Sequence, residues 1–181
     1  CGREKWQAFR NLCCNEHYNC KMANDMILNG RNSKSQDTSI RIGVIGYIYN
    51  IYDSFISMNI LNRLADLGAQ AITFEMLQQS QFEKELKHFG KTLFWTFSNK
   101  LLASAYSFFE DPTIDGVIHV TAFGCGPDSF LGKYLELDSD RFDKPFMTIR
   151  VDEHTGENHL QTRVEAFVDM IAKKKRGKET A

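Results

Sequence analysis

The chain has 181 residues, of which 43% are hydrophobic, 12% aromatic and 25% charged, with 22 basic residues against 23 acidic ones for a net charge of −1. Such a composition belongs to a folded globular chain that is long enough to bury a sizeable core, and it excludes disorder over the whole length. The near-neutral charge excludes a general nucleic-acid binder, and the lack of any run of about 18 apolar residues excludes a membrane-spanning helix.

Position 1 is Cys rather than Met, which reads as an internal start within a longer polypeptide. Cys1, Cys13, Cys14 and Cys20 crowd the first 20 residues, and Cys125 stands alone. An odd number of thiols, with no signal-like stretch before them, points to a reducing cytoplasm and not to a disulfide framework. Residues 4–28 are predicted as one helix with Trp6, Phe9, Cys13 and Cys20 on a common face and Asn29-Gly30 as its stop. The spacing Cys13-Cys14-x5-Cys20 fits neither zinc-ribbon nor ferredoxin patterns. Residues 31–39 are polar and aperiodic, a linker.

From Ile40 the pattern changes to short β-branched runs that alternate with amphipathic stretches, which predicts an α/β fold with a Rossmann-like parallel sheet of about four strands. The runs are Ile40–Tyr47, Ala71–Glu75, Gly116–Thr121 and Phe146–Val151. Between the first two, Asp53 reads as an N-cap, and Ile56, Ile60, Leu64 and Leu67 form a stripe that ends at Gly68. Residues 91–109 predict an aromatic-rich helix stopped by Asp111-Pro112. Gly126-Pro127 opens a helix through about Leu135, and residues 158–174 form the last one. The chain thus divides into a cysteine-rich helical segment (1–30), a linker (31–39), an α/β domain (40–174) and a basic tail (175–181). The run Lys173-Lys174-Lys175-Arg176 reads as a solvated helix end.

In an open parallel sheet, ligands bind beyond the carboxyl ends of the strands, so the loops that follow each strand carry the candidate chemistry. After the first strand, Tyr47, Tyr49 and Asn50 stand where a plain turn would suffice, and neither a Gly-x-Gly-x-x-Gly nor a Walker pattern is present. The tyrosines suit an aromatic or acyl ligand, or packing against a neighbouring domain. After the third strand, Phe123-Gly124-Cys125-Gly126-Pro127-Asp128-Ser129 places a cysteine between glycines at a helix start. There the backbone can approach a bulky group and the free N–H groups favour an anion or a thiolate, while a small buried cysteine in a tight turn explains the same residues. After the fourth strand, Asp152-Glu153-His154-Thr155-Gly156-Glu157 packs ionisable groups that suit a cation, a proton-transfer histidine or a fold-holding polar network.

Three segments taken in order resemble the family related to the activases and D-component of the 2-hydroxyacyl-CoA dehydratases, a CoA-substrate-specific activase-related domain of unknown function. They are Arg41-Ile42-Gly43-Val44-Ile45-Gly46 with Tyr49-Asn50-Ile51-Tyr52-Asp53, then Asp115–His119 leading into Phe123–Ser129, then Asp152–Glu157 leading into Thr162–Phe167, a resemblance that runs from about Ile40 to Ile171. It implies an oxygen-sensitive, anaerobic system with [4Fe–4S] clusters, in which Cys125 is the expected cluster ligand. It also implies a possible CoA-type ligand and a partner dehydratase or activase subunit, with further ligands in an upstream region. Tyr47, Tyr49, Asn50, Gly124, Gly126, Asp128, Ser129, Asp152, Glu153 and His154 are the expected surroundings of the cofactor. The phosphate loops of the actin-like ATPase are absent, so the resemblance does not extend to ATP hydrolysis.

Three functions follow as expectations. The first is an iron–sulfur protein in electron transfer or activation of a CoA-dependent enzyme. The second is a non-catalytic module that holds a CoA-like or nucleotide ligand or docks a partner. The third is a cysteine enzyme that uses Cys125 and His154. No sequence feature sets an oligomeric state.

Overall fold

The computed structural model describes residues 2–30, 38–89, 91–152, 154 and 156–179. Four parallel strands, β1 (Ile40–Gly46), β2 (Ala69–Thr73), β3 (Gly116–Ala122) and β4 (Phe146–Val151), form one sheet in the order β2-β1-β3-β4. The parallel α/β sheet expected from the β-branched runs is therefore present. β1 and β3 are central and buried on both faces, which explains why Ile-Gly-Val-Ile and Val-Ile-His-Val read as continuous apolar runs without alternation.

The helices are α1 (Gly2–Glu16), α2 (Cys20–Asn29), α3 (Ile48–Tyr52), α4 (Ile60–Asp66), α5 (Gln79–Lys87), α6 (Thr96–Glu110), α7 (Gly126–Ser139) and α8 (Glu157–Glu179). α6 and α7 cover one face of the sheet, and α4 and α8 lie on the other. Gly43 lets the Phe108 ring of α6 lie against β1, since a Cβ there would stand 2.5 Å from Phe108 Cδ2. Gly116 does the same for Ile171 of α8, where the distance would be 2.6 Å. Among the described residues, no helix is long and apolar enough to cross a membrane.

Several predicted boundaries are corrected. The single helix over 4–28 is a hairpin of two, because His17 takes a left-handed φ of 56° and the Tyr18 N–H turns back to the Leu12 carbonyl at 3.1 Å. Asn19 then caps α2 through its side chain to the Met22 N–H. Trp6, expected inward, is 61% exposed, whereas Cys13 is fully buried with Leu12 and Ala23. Asp53 does not cap a long helix: its Oδ1 accepts from the N–H groups of Phe55 and Ile56, closing a turn, and α4 begins only at Ile60. β2 ends at Thr73, so Glu75 leaves the strand for a 3₁₀ turn, Phe74–Met76. α5 was not expected at all. Cys125, not Gly126, occupies the N-cap of α7, and α7 runs on to Ser139. In the basic run, Lys174 binds Asp143 and Lys175 binds Asp115, so part of it clasps loops at the amino ends of the strands. Residues 31–37, most of the expected linker, lie outside the described residues.

Candidate functional site

The chain passes from β1 outward to β2 and returns to the other side of β1 as β3, so the winding direction reverses between β1 and β3. Their carboxyl ends splay into the crevice where ligands bind in folds of this kind. Gly46 sets the closeness of the two ends: a Cβ there would stand 2.4 Å from the Val120 carbonyl oxygen.

On the β1 side, Tyr47 stacks on Phe97 at 4.9 Å and on Tyr49 at 5.9 Å. Behind them Asn50 is fully buried, and no described residue completes a hydrogen bond to its Oδ1 or Nδ2, although the amide acts on the neighbouring Tyr49 phenol. A buried amide left unpaired is costly, which singles this position out within the crevice. On the β3 side, Gly124 takes φ 78°, turning the chain so that Cys125 stands half-buried at the start of α7. The Ser129 N–H donates to the Cys125 carbonyl at 2.8 Å and closes the first helical turn. Cβ atoms at Gly124 or Gly126 would meet nothing within 4 Å, so there is room beside the thiol. The two sides meet at Tyr49. Burial pushes its phenol up first, the charges of Cys125 and Asp128 push it further, and Asn50 partly offsets the shift.

Asp128 points under α7. Its Oδ1 stands 2.9 Å from His119 Nε2, and both side chains are fully buried. Among the described residues, His119 Nδ1, Asp128 Oδ2 and Thr148 Oγ1 have no partners. Thr148 is the cross-strand neighbour of His119, and Gly132 of α7 lies over both: a Cβ there would stand 2.8 Å from His119 Nδ1 and 3.8 Å from Thr148 Oγ1. A glycine inside a helix costs about 0.5–1 kcal/mol relative to alanine, and this close approach accounts for it.

Asp152 and His154 follow β4 at the same edge, one strand away. The Phe123 N–H donates to the Val151 carbonyl at 2.9 Å, which ties the two loops together, and the His154 N–H donates to Asp152 Oδ1 in a local turn. Glu153 lies outside the described residues. Thus Tyr47, Tyr49, Gly124, Cys125, Gly126 and Ser129 stand at one edge of the sheet with Asp152 and His154 beside them, whereas Asn50 and Asp128, expected around the cofactor, are fully buried beneath it. The expected pairing of Cys125 with His154 is a neighbourhood of loops, whereas the histidine linked to the Cys125 helix is His119. His119 interrupts the buried apolar run of β3, as Thr121 does two residues on, and an ionisable side chain in a central strand is the signal by which the sequence marks it.

The other cysteines lie elsewhere. Arg10 donates to the carbonyls of Glu75 and Leu77 at 2.9 and 3.0 Å, Cys14 Sγ donates to the same two carbonyls, and the Cys20 N–H donates to Glu75 Oε1 at 3.0 Å. The hairpin is thereby fastened to the turn after β2. Burial pushes the Cys13 thiol up to about 12 and raises Cys14 and Cys20 as well, so in the metal-free chain these thiols stay protonated.

A [4Fe–4S] cluster takes four thiolates. Among the described residues, no group of three or more His, Cys, Asp or Glu is arranged to hold a metal ion. Cys125 combines the N-cap of a helix with room on both sides, and Cys20, which also begins a helix, is drawn into the seam with Glu75. The described residues fit a single ligand position and do not build a complete cluster site. Cys1 lies outside the described residues.

Residues 2–77 match the family model of the CoA enzyme activase uncharacterised domain. The activase-related resemblance read from the sequence is found there. The matched segment takes in the hairpin, β1 and β2 and ends at Leu77, upstream of Cys125. Of the three motifs that carried the resemblance, the first lies inside it. No curated protein matches the chain.

Proposed function

We propose that this chain, whose residues 2–77 form an activase-related domain, serves the activation of a CoA-dependent enzyme and presents Cys125 as one thiolate ligand of a [4Fe–4S] cluster used in electron transfer. The remaining ligands come from outside the described residues, from a partner dehydratase or activase subunit or another part of the same system. The observation that carries this reading is the position of Cys125: at the reversal of the sheet, at the N-cap of a 14-residue helix, with open space on both sides. When bound, such a cluster supplies one-electron chemistry. The chain's own residues hold its surroundings: Tyr49 stands on the β1 side of the same edge, and Asp128 with His119 anchors the first turn of α7. Anaerobic protein purified without added iron, incubated with iron, sulfide and a small thiol that stands in for the ligands supplied from elsewhere, and then freed of excess reagents, is expected to retain broad visible absorption and acid-labile sulfide. Protein that stays colourless and free of sulfide under these conditions overturns the reading.

A second reading, a module that binds a CoA-like ligand or docks a partner without metal, is favoured by the unpaired amide of Asn50 and by the exposed rings of Tyr49 and Phe123 at the same edge. It predicts ligand-dependent thermal stabilisation that survives Cys125→Ala.

A further inference from the structure

The seam between the N-terminal hairpin and the sheet closes over one carboxyl group. Glu75 is 8% exposed, its Oε1 accepts the Cys20 N–H, and its Oε2 is buried without a partner. Tyr52 of α3 shares the same N–H and donates to Thr73 Oγ1 at 3.2 Å. α1 brings Arg10, Cys13 and Cys14 to this point, α2 brings Cys20, and α3 brings Tyr52. β1 and α6 also pack on the turn, and no charged group from either acts on the carboxyl. Among the described residues the cation that acts on the carboxyl is Arg10, which favours its ionised form but directs its hydrogen bonds to two main-chain carbonyls and not to the carboxylate, while Lys21 of α2 lines the cavity beside it.

We propose that Glu75 makes the docking of the N-terminal hairpin a proton-dependent latch, tight when the carboxyl is protonated and looser when it ionises. An ionised carboxylate in this seam has only main-chain N–H donors, those of Cys20 and of Glu75 itself, and no counter-ion in hydrogen-bond contact, so the cost of burial outweighs them and the charge of Arg10. Burial accordingly pushes the carboxyl up to about 7 from its ordinary 4.5. Because the docked value lies above the undocked one, the docked state holds the extra proton. Docking is strongest below the undocked value and weakens as pH rises through the docked one. The consequence is local. A cavity of about 350 Å³ lies in the same seam, walled by Asn19 and Met22 of the hairpin and by Tyr52 and Met76 opposite, so a hairpin that lifts at higher pH opens it.

Native-state hydrogen exchange on the full chain tests the latch, with the amides of α2 read against those of β3 and rates corrected for intrinsic exchange. The opening equilibrium of α2 is expected to rise about tenfold between about pH 6 and about pH 8, with β3 unchanged. Glu75→Gln keeps an acceptor for the Cys20 N–H, leaves His17 in place, and is expected to flatten the response. Protection of α2 that does not change with pH in the unmodified chain overturns the proposal, as does an unchanged slope in Glu75→Gln. The pH series of the unmodified chain decides the matter even where the variant folds poorly.

Discussion

Replacing Asp128 with alanine is expected to lower the folding stability by about 3 kcal/mol. The carboxylate is the hydrogen-bond partner of His119 Nε2 at 2.9 Å, in a place where neither side chain meets water. His119 Nδ1 already lacks a partner, so the substitution leaves both ring nitrogens unpaired in the core and adds a small void beneath α7. Asp128→Asn keeps an oxygen that can accept from the ring and is expected to cost about 1 kcal/mol. Urea unfolding of the three proteins reads the difference directly. A loss under about 1 kcal/mol for Asp128→Ala would show that the pair does not anchor α7 as described. The position bears on the site as well as on stability, because Asp128 lies three residues after Cys125 and holds the turn that presents it.

The second large effect is expected at Gly46. A Cβ here would stand 2.4 Å from the Val120 carbonyl oxygen, a main-chain atom in the centre of the sheet that cannot swing aside. Gly46→Ala must therefore separate β1 from β3 where the crevice begins, at a cost of about 2–3 kcal/mol. The stack of Tyr47 on Phe97 and the buried Asn50 sit on the displaced segment, so the damage reaches the site. Gly124→Ala provides the comparison. Its Cβ would meet nothing, and only its left-handed φ of 78° resists the change, at about 1 kcal/mol. Thermal unfolding should rank Gly46→Ala well below Gly124→Ala. The reverse order would mean that the β1–β3 approach is looser than the structure has it.

The sheet was legible in the sequence because its central strands are buried on both faces, and Ile40–Gly46 and Gly116–Ala122 keep β-branched runs that no helix at the surface would show. The loop residues of the candidate crevice were legible for the same reason: once the strands are placed, their carboxyl ends are known. Elements held by tertiary contacts were harder to read. α5 is mostly polar, yet Phe82, Leu86 and, just past its end, Phe89 stand at helical spacing and pack on the core, so this helix carried a readable stripe that is short and broken by charges. The break at His17 depends on a left-handed residue that sequence does not require, although Asn19 offered a capping signal that marks the start of α2. The His119–Asp128 pair joins a strand to the following helix, and its partners become neighbours only when α7 packs across β3. Glu75 reads as the last residue of a strand run. Its burial comes from a hairpin more than fifty residues earlier in the chain, through the Cys20 N–H.

The assignment of Cys125 as the cluster ligand is tested most directly by anaerobic reconstitution with iron, sulfide and a small thiol. The unmodified chain would be compared with Cys125→Ala and Cys13→Ala, counting iron and recording the electron paramagnetic resonance of the reduced protein. The account predicts roughly four iron atoms and a reduced-cluster signal in the unmodified chain and in Cys13→Ala, and neither in Cys125→Ala. Iron retained in Cys125→Ala, or lost in Cys13→Ala alone, would contradict it and move the centre from the β1/β3 crevice to the hairpin.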